Sequence, residues 1–202
     1  HLPPRSLLLV RSEAVAWRLW AARHVRGERP DLVVVPVPLL ARGTVAASLL
    51  RDEPALAPLI RDLVISGRPT EYALSTLADA RPLFVELDPS WDRRLVHHLV
   101  PRPLWLGFSP HALGRSDRTA ALERGQRAFE RTLAVAKTPD YTDHATLSVL
   151  ASRAREQAVV LASLGDRDNV RELLSGLREI DPDDPVAHEI SMRLDGSKRG
   201  RV

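Results

Sequence analysis

Hydrophobic and polar positions follow two regimes along this chain. In the first, short apolar runs sit between prolines and turn residues. Ser6 to Val10 follows Pro3 and Pro4, and Leu32 to Val37 follows Arg29-Pro30-Asp31. Runs of this kind suit strands buried on both faces of a parallel sheet. Between them, Ser12 is a good N-cap, Glu13 complements the helix dipole, and Gly27 is placed to end the helix as its C′ residue. Val15, Trp17, Leu19, Trp20, Ala22 and Val25 form a broad apolar band on that helix. Strand, crossover and strand make a right-handed parallel unit the default, so residues 2–40 predict the opening of an α/β layer.

Residues 43–80 read as helical. Pro54 can open a helix through Leu56, Leu59, Ile60, Leu63 and Val64, stopped by Gly67-Arg-Pro69. Thr70 can cap another that carries Tyr72, Leu74 and Leu77. Leu83 to Leu87 predicts a third strand and Asp88-Pro-Ser-Trp91 a turn. Leu95 to Val100 fits strand or helix equally, and Pro103 to Ser109 predicts a further strand.

The second regime begins near Arg118. Prolines become sparse and apolar residues recur at helical spacing: Leu122, Phe129, Leu133 and Val135, then Leu147, Leu150 and Ala154. Residues 151–184 fit the register of a 34-residue tetratricopeptide repeat. Gly165-Asp166 takes the turn, Val170, Leu174 and Leu177 take the second helix, and Ile180-Asp181-Pro182 closes the unit. Residues 117–150 do not repeat the pattern. The expected architecture is an α/β domain over 1–115, with a small parallel or mixed sheet and flanking helices. An all-α, tetratricopeptide-like helical-hairpin region over 116–196 and a disordered tail over 197–202 complete it.

Composition narrows the chemistry. The chain has 202 residues, enough for one good core or two small ones, and no Cys, which removes disulfides, thiolate metal sites and a Cys nucleophile. Net charge is only +3 and the cations are interspersed with acids, so no nucleic-acid footprint is expected. The longest apolar run, Leu32 to Ala41, is broken by Pro36 and Pro38, so no transmembrane segment is expected within the chain. The start of the chain, directly before a strand, leads to the expectation of an excised soluble domain.

Candidate chemistry is sparse. A dinucleotide fold wants a glycine-rich turn after its first strand, but Val10-Arg-Ser-Glu-Ala14 has no glycine. The nucleophile elbow and the phosphate-binding loop are also missing. His97-His98 point to different faces whether on strand or helix, and no ligand lies at metal spacing nearby, so neither metal nor cofactor is expected. Arg11 and Ser12 at the first strand end, Arg42 before Gly43-Thr44, and Asp88 at the third strand end form a candidate binding cleft. Asp88 also suits an ordinary turn. Trp17, Trp20 and Trp105 read as packing residues, whereas Trp91, in a polar turn, is a candidate binding residue.

Three stretches carry a family resemblance: Leu2-Pro-Pro-Arg-Ser-Leu-Leu-Leu-Val10, Gly27-Glu-Arg-Pro-Asp-Leu-Val-Val-Val35 with Leu39-Leu40, and Arg81-Pro-Leu-Phe-Val85 with Leu99-Val-Pro-Arg-Pro-Leu104. Together they resemble the soluble C-terminal region of a bacterial multi-pass membrane protein family similar to C-type glycosyltransferases (protein O-mannosyltransferase-like). Arg11-Ser-Glu-Ala14 replaces the family's polar segment, and Pro103 its glycine. The resemblance implies a non-catalytic accessory domain on the periplasmic or extracytoplasmic face of the cytoplasmic membrane. Its partners would be the membrane domain of the same polypeptide and an acceptor protein or glycan. The parent protein would be a lipid-linked sugar transferase, and no catalytic residue carries over to this chain. The alternative is a protein–protein interaction module working through the tetratricopeptide-like helices, unrelated to sugar transfer. A stand-alone hydrolase or nucleotide-binding enzyme is disfavoured by the missing motifs.

Overall fold

The protein is described by a computed structural model covering residues 2–88, 90–102, 104–138, 144–165 and 167–199. Two compact units are present, His1–Leu99 with Leu106–Leu113, and Val100–Trp105 with Gly114–Val202.

The first unit holds most of the sheet. Strands β1 (Leu7–Val10), β2 (Val33–Pro36), β3 (Leu83–Val85), β4 (Leu99–Pro101) and β5 (Leu106–Phe108) lie in the order β2-β1-β3-β5-β4. β1 runs parallel to both β2 and β3, with Leu7 opposite Val33 on one side and Leu83 on the other, and β5 is antiparallel to β3. The sheet is therefore mixed. All four residues of β1 are buried, which is why its sequence shows no alternation. Each such aliphatic side chain contributes about 1.5–3 kcal/mol by leaving water.

Helices α1 (Glu13–His24), α2 (Gly43–Asp52), α3 (Ala57–Ser66) and α4 (Glu71–Ala80) flank the strands. Ser12 caps α1 by accepting from the Val15 N–H, and Thr70 caps α4 by accepting from the Ala73 N–H at 3.2 Å. Gly27 adopts φ +67°, two residues beyond the Val25 C-cap and so one position later than expected. Pro54 opens a 3₁₀ turn, and α3 begins only at Ala57. The segment Arg93–His98 is a 3₁₀ helix leading into β4, so the ambiguous stretch contains both states. The predicted strand over 103–109 is confined to Leu106–Phe108.

The apolar band of α1 is corrected. Of this helix only Ala16 is buried, while Trp17, Trp20 and Val25 stand exposed. Tyr72 is also exposed, and α4 packs through Ala73, Leu74 and Leu77 instead.

The second unit contains α5 (Arg115–Ala136), α6 (His144–Ser163), α7 (Arg167–Ile180) and α8 (Pro185–Arg199). Phe129 and Leu133 of α5 meet Ala151, Ala154 and Ala158 of α6 and Val170, Leu174 and Leu177 of α7 in one core. The alanines of α6 let the neighbouring helices approach closely. Gly165, at φ +76°, turns α6 into α7. Asp184 caps α8, accepting from the Ala187 N–H at 2.8 Å, and receives the Arg155 guanidinium. Within this unit Gln157 donates to the Arg102 carbonyl, and the Arg153 guanidinium sits 5.4 Å from the Trp105 ring centre. Asp166, Pro103 and positions 200–202 of the expected tail lie outside the described residues, as do the side chains of Leu122 and Val135.

Candidate functional site

The first connection runs from β1 to β2 on one side, and the chain returns to β3 on the other. The C-terminal ends of β1 and β3 therefore flank a topological switch point, where open α/β sheets place their ligands. Arg11, Ser12 and Asp88 all come to this point. Arg11 Nε pairs with Asp88 at 3.1 Å, and Arg11 Nη1 donates to the Leu87 carbonyl at 3.2 Å.

Glu86, which no sequence motif singles out, fills the centre. Only 2% exposed, its carboxylate accepts from the backbone N–H groups of Arg11 at 2.5 Å and Ser12 at 2.6 Å. Those two N–H groups at the mouth of α1 are the donors that a phosphate would use in a nucleotide-binding protein of this layout. Here the protein supplies its own anion. The signal was present as one acid at the end of an apolar strand, Leu83-Phe-Val-Glu-Leu87.

The remaining candidates separate. Asp88 accepts from the Ser90 N–H at 2.8 Å, and its carbonyl accepts from the Trp91 N–H at 3.0 Å, so its carboxylate serves the turn as well as Arg11. Trp91 is buried, and its Nε1 has no hydrogen-bond partner among the described residues. The candidate binding residue of the polar turn is thus placed with its ring buried within the unit. Arg42 is exposed at the N-cap of α2 and makes no hydrogen bond through its side chain to the switch-point cluster. His98 is a packing residue. It is buried, stacks on Phe108 at 5.0 Å, and places Nδ1 2.9 Å from the Ser109 carbonyl and Nε2 3.4 Å from Glu71. His97 and His111 are not buried in this way, and no cluster of metal-ligating side chains exists among the described residues.

A second feature of this unit was not foreseen as a site. α1 and α2 form the walls of a groove of about 370 Å³, with Val34, Pro36 and Leu39 along its base. Trp17, Trp20, Arg23 and His24 line one wall, and Val45, Ser48, Leu49 and Asp52 the other. Trp17 and Trp20 meet edge to face at 6.1 Å, and the His24 ring lies 5.1 Å from Trp20. The Trp17 indole N–H donates to Glu13 at 3.3 Å, which fixes one ring of the pair. Trp17 is 47% and Trp20 51% exposed, and α2 buries no residue fully despite its apolar stripe. These two helices leave part of the sheet edge uncovered.

Ionisation follows local hydrogen bonding elsewhere in the unit. The Thr70 hydroxyl at 2.6 Å and its N–H at 3.2 Å hold the Asp62 carboxyl below its ordinary range, against burial, which raises it. The Arg29 fork and the Arg5 N–H hold Asp31 well below that range.

No known family model matches the chain, and neither the curated proteins nor the solved structures contain a match to it. No helix among the described residues is long and apolar enough to cross a membrane.

Proposed function

We propose that this chain is a non-catalytic binding module, an extracytoplasmic accessory domain of a membrane glycosyltransferase that holds acceptor protein, glycan or partner. The observation that supports binding is the α1/α2 groove, where half-exposed tryptophans line a volume typical of ligand sites. Support for a non-catalytic role comes from the switch-point crevice, where Glu86 already takes the anion-binding N–H groups. The link to sugar transfer rests on the resemblance of the Leu2-Pro-Pro4, Arg29-Pro-Asp31 and Arg81-Pro82 strand stretches.

The test uses the full-length protein in membranes. Trp17→Ala combined with Trp20→Ala should lower sugar transfer to the protein acceptor while leaving fold and membrane insertion intact. Unchanged transfer, or a full-length protein without membrane spans, would remove the proposal.

The second reading is an interaction module in the helical region. It is favoured by the α6–α7 hairpin, whose glycine turn and buried Val170, Leu174 and Leu177 fit the repeat register. Deleting 116–202 should then abolish partner capture; retention of the partners would exclude this reading.

A further inference from the structure

We infer that the groove between α1 and α2 receives a short amphipathic helix from a partner protein, with apolar side chains in the groove and a carboxylate on Arg23. This deepens the proposed binding role and rests on it.

The first ground is shape. Trp17, Trp20 and His24 recur at helical spacing along one wall, and Val45, Leu49 and Asp52 along the other. Each wall spans about two helical turns, roughly 10 Å at 1.5 Å rise per residue. A volume near 370 Å³ accommodates two or three apolar side chains. An incoming helix with anchors at i, i+4 and i+7 spans the same two turns.

The second ground is incompleteness. α2 carries Val45, Leu49 and Leu50 on an apolar stripe and buries none of them fully. On the opposite wall both indoles remain half-exposed, and the base residues Val34 and Pro36 are only partly covered. Tryptophan in such a setting is the residue type that anchors protein interfaces. Most of the lining is apolar, which favours aliphatic anchors over the hydroxyl-rich face of a glycan.

The third ground is charge. Arg23 is half-buried in the groove wall and forms no ion pair or hydrogen bond among the described residues. His24 adjoins it, and Asp52 stands on the other wall, likewise without a partner among the described residues. A guest helix with an acid toward α1 and a base toward α2 would satisfy both and be fixed in one direction. Charge complementarity of this kind selects partner and register.

The experiment is selection of a random 12-residue phage-displayed peptide library on the immobilised full chain, counter-selected against the Trp17→Ala/Trp20→Ala variant. Circular dichroism melting would first establish that this variant folds. Enriched peptides are expected to carry Leu, Phe or Met at i, i+4 and i+7 with an Asp or Glu beside them. They should bind the Arg23→Glu variant about tenfold more weakly than the parent, the loss expected for a reversed charge at a contact rim. No enrichment, proline-rich extended sequences, or equal binding to the tryptophan variant would overturn the proposal. A dimer that forms with concentration and disappears in the tryptophan variant would also overturn it, since a second copy would then be the occupant. Loss of sugar transfer in the tryptophan variant without helical peptides would remove the guest helix and keep the accessory role. Helical peptides with transfer unaffected would do the reverse.

Discussion

Glu86 shows how one side chain decides what a crevice can do. Its carboxylate takes the two N–H groups that open α1, so removing it leaves two part-buried donors without that partner. Glu86→Ala should destabilise the protein by about 1.5–3 kcal/mol, the range for hydrogen bonds to a charged group. Urea unfolding would measure it, and a change under about 0.5 kcal/mol would mean that water replaces the carboxylate. Asp62 gives a pH prediction at the same scale. Its folded-state pKa lies below the unfolded value, so its contribution is fully present above the ordinary carboxylate pKa of 3.8. That contribution is lost as pH falls through the lower folded value. Asp31, more exposed and so more screened by solvent, acts in the same direction. Stability followed from about pH 6 to about pH 2 should fall less steeply in Asp62→Asn; parallel curves would contradict the assignment. Arg11, Ser12 and Asp88 were legible as a cluster because strand ends can be counted along a chain. Glu86 was not, because an acid flanked by Val85 and Leu87 looks the same whether it faces water or a helix N-terminus.

Among the elements, caps were the most readable features. Ser12, Thr70 and Gly67 act through neighbours a few residues away, so their roles need no tertiary information. Gly67 sits at φ +69° with open space around the position of a Cβ. Gly67→Ala should therefore cost about 1 kcal/mol from backbone strain alone, and Gly67→Asn less. A neutral alanine in thermal melts would show that the turn relaxes. Helix faces were less readable. The periodicity of α1 placed Trp17 and Trp20 in the core, yet the helix rests on the sheet through Ala16. Apolar spacing marks a stripe, but which part of it meets the sheet depends on how closely the helix can approach, and the small alanine permits the closest contact. Trp17→Ala/Trp20→Ala is accordingly expected to shift the melting temperature little, whereas Leu177→Ala, in the packed α7 face, should cost about 2–5 kcal/mol.

Across the whole molecule, the chain does not divide at one point. Val100–Trp105 belongs with the helical unit, while Leu106–Leu113 belongs with the sheet unit. The fragment 114–202 consequently lacks the carbonyl of Arg102 that Gln157 binds and the Trp105 ring beside Arg153. It should remain helical but unfold at a lower urea concentration than the same helices in the intact chain, by about 1–3 kcal/mol for the unpaired buried amide. Equal midpoints would show that residues 100–105 contribute nothing to that unit. From sequence alone came the class of layer, the order of strand, helix and strand at the start, the caps, and the change to helices after residue 115. These depend on local propensity and on apolar spacing, both of which act over a few residues. Only the tertiary structure decided the antiparallel β5, the burial of Trp91, the carboxylate in the switch-point crevice and the open tryptophan groove. Each of those arises from contacts between residues distant in the chain, where many pairings satisfy the same local pattern and packing selects one.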